Sequence, residues 1–246
     1  MSDPHPARRY RAIFFELFGT LASGSTDDEA HLKLMESVAQ RFGIATEPTM
    51  LLGLFNDRLR QSPGGDGTGW THHQAQAQGA FRSIVGDFGI KPGPEGLAWF
   101  GDEYLRVHQS FVRLIPGGRE MLGELYSAKL HLGLIEDCDT RYLDRMLCWL
   151  DIVPFIDSRT TPEEPGAAGP DGGIYHLALG KARCDARQAV FVGGSVDRHL
   201  RGARAAGMTT VLLDAPMSER DLGAVDFVAS SPARLARILY ELAYTA

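Results

Sequence analysis

The chain has 246 residues, enough for one substantial core or for a core plus a smaller inserted domain. Its 44% hydrophobic and 23% charged residues are ordinary for a globular protein, and no apolar run approaches membrane-spanning length. A net charge of −6 and a pI near 5.7 argue against nucleic acid or an anionic membrane surface as partner.

Arg8-Arg9 near the start could open a twin-arginine export signal, but the apolar stretch Ala12 to Phe15 is cut short by Glu16. Cys138, Cys148 and Cys184 form no CxxC pair and no metal-ligand spacing. Such a sparse, odd set predicts reduced thiols and a cytoplasmic protein.

Ala12-Ile13-Phe14-Phe15-Glu16-Leu17 reads as a buried strand entering a tight turn at Phe18-Gly19-Thr20. Asp27 or Asp28 can cap a helix whose Leu34, Met35, Val38 and Phe42 share one face, with Gly43 as its stop. Further helices are predicted over 49–60, 72–88 and 94–111, with a glycine-rich loop over 62–69. After Pro116-Gly117-Gly118 strands alternate with helices. Helices are predicted over 119–127, 141–150, 173–183, 200–206 and 232–242, and strands over 131–135, 155–159, 189–192, 210–213 and 226–228. That alternation implies right-handed βαβ units and an α/β fold with a mostly parallel sheet, interrupted after its first strand by an all-helical insert. The ligand site of such a sheet lies at the carboxyl ends of its strands.

Four segments fall at those strand ends: Phe15-Glu16-Leu17-Phe18-Gly19-Thr20-Leu21, Leu132-Gly133-Leu134-Ile135-Glu136-Asp137, Ala167-Ala168-Gly169-Pro170-Asp171, and Phe191-Val192-Gly193-Gly194-Ser195-Val196-Asp197-Arg198-His199. In order and context they resemble the four motifs of the haloacid dehalogenase superfamily. The resemblance covers residues 12–20 and 116–214. It implies a Rossmann-like parallel sheet core formed by 1–21 and 113–246, an inserted helical cap formed by 22–112, and a site under that cap. Members of the superfamily are mostly Mg²⁺-dependent phosphatases with an aspartyl nucleophile; a minority are dehalogenases and other hydrolases.

The chain departs from this pattern at nearly every chemical position. Glu16 stands where the nucleophilic aspartate is expected, and its extra methylene displaces the carboxylate by an amount that can cost about a hundredfold in rate. Phe18 sits where phosphatases keep their general acid, a place where dehalogenase-like members often carry an aromatic. Glu136 replaces the phosphate-binding hydroxyl; an ionised carboxylate cannot donate a hydrogen bond and repels phosphate. Gly169 takes the lysine slot, no lysine lies between Lys129 and Lys181, and Arg159 is the candidate substitute. Gly194 and His199 take the places of the two acidic metal ligands, with Asp197 as a displaced alternative. Mg²⁺ prefers hard oxygen ligands, so the Mg²⁺ site is expected to be lost, leaving no cofactor and no metal.

Glu16 and Glu136 end strands expected to be neighbours, close enough to raise the pKa of one and form an acid/base pair; the alternative is that each only accepts from turn amides. Phe18, Asp137, His199, Trp70 and His72 are the candidate substrate contacts. His199 is otherwise a surface residue at a helix start, Asp137 and Asp139 are helix caps, and Cys138 lies at the mouth of the site. Trp99, Phe100, Tyr104 and Val107 read as core of the helical insert rather than a substrate stripe.

A pocket floor of carboxylates favours a cation or amine. The leading expectation is a repurposed, metal-independent acid/base enzyme acting on an amine-bearing, possibly carrier-bound small molecule. Closure of a nitrogen ring by intramolecular displacement fits the carboxylate pair, and the resemblance places members so altered in specialised (antibiotic) biosynthesis. The alternatives are a catalytically inactive binding partner or subunit, and a weak phosphatase or dehalogenase-like hydrolase.

Overall fold

The computed structural model describes residues 9–23, 27–61, 73–164, 172–213, 221 and 223–244. The chain divides into two units: a sheet-bearing unit of 1–23, 113–137 and 150–246, and a helical unit of 24–112 and 138–149.

Among the described residues the sheet-bearing unit is built on β1 (Ala12–Phe15), β4 (His131–Ile135), β5 (Ser158–Thr160), β6 (Ala189–Gly193), β7 (Thr209–Leu213) and β8 (Phe227–Ala229). These form one six-stranded parallel sheet in the order β5-β4-β1-β6-β7-β8. All four residues of β1 and all five of β6 are buried, the continuous apolar pattern of strands covered on both faces. Phe15 lies opposite Leu134 of β4 and Val192 of β6. Glu16, Glu136 and Gly194 are therefore the first residues past the carboxyl ends of three adjacent strands. Close packing forbids a side chain at Gly133 of β4, where a Cβ would meet the Phe14 ring at 2.5 Å.

Two short strands lie outside the sequence expectations: β2 (Ala22–Ser23) pairs antiparallel with β3 (Arg113–Leu114), where the chain leaves for and returns from 24–112. Among the described residues the sheet-bearing unit also carries the helices α5 (Gly118–Ser127), α7 (Gly173–Ala182), α8 (Arg201–Ala205) and α9 (Pro232–Tyr244). A 3₁₀ turn at Val153–Phe155 takes the start of the strand predicted over 155–159, which begins later, at Ser158. Val196–Leu200 forms a π-helical turn ahead of α8, where the sequence predicts an α-helix from residue 200.

The helical unit contains α1 (Asp27–Phe42), α2 (Pro48–Gln61), α3 (His73–Asp87), α4 (Pro94–Phe111) and α6 (Thr140–Trp149). Leu34, Met35, Val38, Leu51, Phe55, Phe81 and Phe100 form its core, with Trp99 and Tyr104 packed against them. The rings of Phe81 and Phe100 stack at 4.3 Å. Gly43 ends α1 in the left-handed conformation, at φ +63°.

Of the two residues expected to cap α1, Asp28 lies inside the helix, where its side chain accepts a hydrogen bond from Asn56 Nδ2 at 2.9 Å. Asp139 directly precedes α6, and its carbonyl accepts from the Leu143 amide at 3.0 Å as that of an N-cap residue does. Its buried side chain has a second task, since Oδ2 accepts from the Gln74 amide at 2.7 Å in the first turn of α3.

Candidate active site

The turn after β1 is set by local chemistry. Gly19 adopts φ +80°, the Thr20 hydroxyl donates to the Glu16 carbonyl, and the Ala22 amide donates to Leu17 O at 2.8 Å. This winding directs two successive amides, those of Leu17 and Phe18, onto one oxygen of Glu136. Oε2 of Glu136 accepts from Leu17 N at 2.6 Å and from Phe18 N at 3.3 Å. Glu136 is held in turn by its own amide, which donates to Thr160 O at 3.1 Å.

Glu16 has a different set of partners. Its Oε2 accepts from the Gly194 amide at 2.8 Å, and its Oε1 lies 2.6 Å from Nδ1 of His199. All three side chains are buried: Glu16 is 5%, Glu136 4% and His199 6% exposed. Burial pushes the Glu136 carboxyl up to about 7, and the negative charge of Glu16 adds to the rise. The Leu17 amide, the His199 charge and the Phe18 amide act in the opposite sense.

The expectation of a surface His199 is corrected. The π-helical turn at Val196–Leu200 carries its ring inward, and the Tyr175 hydroxyl donates to the His199 carbonyl at 2.8 Å. Tyr175 was not singled out by the sequence. Burial, with the charges of Glu16 and Asp137, holds its phenol well above the ordinary range, so it remains a donor. Gly202 provides the space for that ring: a Cβ there would meet Tyr175 Cε2 at 2.6 Å.

Gly194 is equally constrained. A Cβ at this position would stand 2.6 Å from the Gly19 carbonyl oxygen, so the two turns meet backbone to backbone. Asp197 is exposed and pairs with Arg201 Nε at 2.9 Å. Among the described residues no group of three or more His, Cys, Asp or Glu is arranged to hold a metal ion.

The structure thus joins Glu16 directly to His199, couples Glu136 to both through charge, and brings in Phe18 through its amide. Asp137 is half-buried and close enough to act on Tyr175. Trp70 and His72 lie outside the described residues; their neighbour His73 is exposed. Cys138, two residues beyond Glu136, is buried. Arg159 is exposed. Lys181 reaches Thr160 Oγ1 at 3.2 Å and is paired with Glu164 at 2.6 Å.

A model of the haloacid dehalogenase-like hydrolases matches residues 81–213, more than half of the chain, and the chain belongs to this family. It is 29% identical over 130 residues to a ribulose-1,5-bisphosphate 5-phosphatase of Halopiger xanaduensis, covering 53% of this chain and 54% of that one. It is 33% identical over 108 residues to a glyceraldehyde 3-phosphate phosphatase of Methanocaldococcus jannaschii, covering 44% and 47%. The chain spans about half the length of the curated relatives it matches. Its fold is that of L-2-haloacid dehalogenase from Xanthobacter autotrophicus, solved with chloropropionic acid covalently bound: TM-score 0.63, 15% identity, 94% of this chain and 98% of that one. Among the described residues no helix is long and apolar enough to cross a membrane.

Proposed function

We propose that this family member performs metal-independent acid/base chemistry on an amine-bearing small molecule, and that its reaction is closure of a nitrogen ring by intramolecular displacement in specialised (antibiotic) metabolism. The observation that carries the reading is the buried pair Glu16 and Glu136, with Glu136 titrating near neutrality beside a carboxylate already partnered by His199. A group of that affinity both takes and gives a proton at neutral pH.

In this reaction Glu136 takes a proton from the substrate ammonium. The freed nitrogen lone pair attacks the carbon that bears the leaving group. The C–N bond forms as the bond to the leaving group breaks, and the leaving group departs with that electron pair. Glu16 balances the positive charge of the incoming ammonium, and the Gly194 amide and His199 keep its carboxylate in place.

The residues present do not fit the Mg²⁺ that the fold family implies. Both Glu16 oxygens are engaged by an amide and an imidazole, position 194 has no room for a ligating side chain, and His199 fills the other acidic place. Mg²⁺ requires near-octahedral hard oxygen ligands, which this set does not supply.

The phosphatase names of the relatives favour a second reading, residual phosphoryl hydrolysis. Calorimetric titration with primary amines and diamines, and with inorganic phosphate with and without Mg²⁺, separates the two. Amine binding that weakens in Glu16→Gln and Glu136→Gln is expected. Mg²⁺-dependent phosphate binding, or turnover of an aryl phosphate, overturns the proposal. Full function of both variants in the host would instead indicate a non-catalytic binding role.

A further inference from the structure

The amides of Leu17 and Phe18 are consecutive, lie in a glycine-supported turn at the end of β1, and converge on a single acceptor atom. Two converging backbone donors form a concavity suited to an oxyanion, because they supply positive partial charge with no side chain to move aside. In this chain the acceptor is internal: Glu136 Oε2, on a side chain only 4% exposed and anchored at the end of β4.

We infer that the Leu17–Phe18 turn is a latent oxyanion site kept filled by the chain's own Glu136 carboxylate, and that this occupancy makes Glu136 the residue that decides specificity against free oxyanions. The inference rests on the reading of the site as one that has left phosphate chemistry. It goes beyond charge repulsion, because the donors for an oxyanion persist and are already committed. A ligand oxyanion would have to displace an acceptor that is tethered, buried and held at 2.6 Å. The His199–Glu16 contact and the Gly194 amide do not depend on Glu136, so the turn retains its support when that side chain is shortened.

The probes are inorganic phosphate and sulfate, titrated calorimetrically without metal into the full chain and its Glu136→Ala, Glu136→Ser and Glu136→Gln variants. Wild type shows no saturable binding. Ala and Ser bind saturably, at least about tenfold more tightly than the weakest binding the titration can detect, as expected for opening a pair of amide donors. The Gln variant retains an acceptor oxygen in the turn and stays closed. If Gln binds as well as Ala, charge and not occupancy excludes the anion, and the inference fails. Folded Ala and Ser variants that bind neither probe also overturn it while leaving the proposed function intact. Phosphate binding by wild type would overturn the inference and the proposed function together. Should the shortened variants not fold, ¹⁵N–¹H spectra of wild type decide: the Leu17 and Phe18 amides must shift together with the Glu136 carboxyl signal, and independence overturns the inference.

Discussion

Nδ1 of His199 lies 2.6 Å from Oε1 of Glu16, so the turn after β6 is tied to the end of β1 by a buried imidazole–carboxylate contact. The two residues act on Glu136 in opposite senses: the charge of Glu16 raises its proton affinity and that of His199 lowers it. Glu16→Gln is therefore expected to move the Glu136 midpoint down from about 7, and His199→Asn to move it up. Carboxyl ¹³C spectra across the pH range give both midpoints. Shifts in the same direction would refute this account.

Glu136 also makes stability depend on pH. Its carboxyl rises from an ordinary 4.5 to about 7 on folding, so within that window the folded chain keeps a proton that the unfolded chain releases. Stability should fall as pH rises through the window and level off above it, by about 3 kcal/mol at most. Denaturant unfolding at pH 5, 6, 7 and 8 should show this fall in wild type and not in Glu136→Gln. A wild-type advantage over Gln that grows with pH would show the sign to be wrong.

Tyr175→Phe removes one buried donor from the His199 carbonyl and leaves the ring packing in place. The expected loss is about 1 kcal/mol or somewhat more, because the carbonyl loses its partner away from water. Faster amide exchange over Val196–Leu200 should accompany the loss. Unchanged exchange there would mean that the π-helical turn is held by other contacts.

Gly194→Ala places a methyl group against the Gly19 carbonyl, where a Cβ would stand 2.6 Å away. Backbone must move to admit it, at a cost of about 1–3 kcal/mol, and the Gly194 amide shifts relative to Glu16. Thermal unfolding measures the first effect. Gly194→Asp should be destabilised at least as much and should gain no stabilisation from added Mg²⁺.

The fold was legible because its signals are local and repeated. The all-apolar β1 and β6, the alternation of strands and helices after Gly118, and the glycine stop at Gly43 each carry their own reading. The meeting of Glu16 and Glu136 at one end of the sheet followed from topology, since both residues end strands that pair. The inward position of His199 is not legible, because the π-helical turn that carries it has no sequence signature. Tyr175 and the fit of Gly194 against Gly19 were hidden for a related reason. Both depend on contacts across the fold that no local pattern encodes. Asp139 shows the same limit, since its side chain caps a helix whose capped residue, Gln74, lies far from it in sequence.

The abutment of Gly19 and Gly194 also limits what can be engineered at this end of the sheet. A side chain grafted onto position 194 would begin 2.6 Å from the Gly19 carbonyl oxygen, so no single exchange there can introduce a new ligand while both loops keep their places. Redesign must treat the two loops as one unit, with the β1 loop rebuilt in the same step as the residue that replaces Gly194.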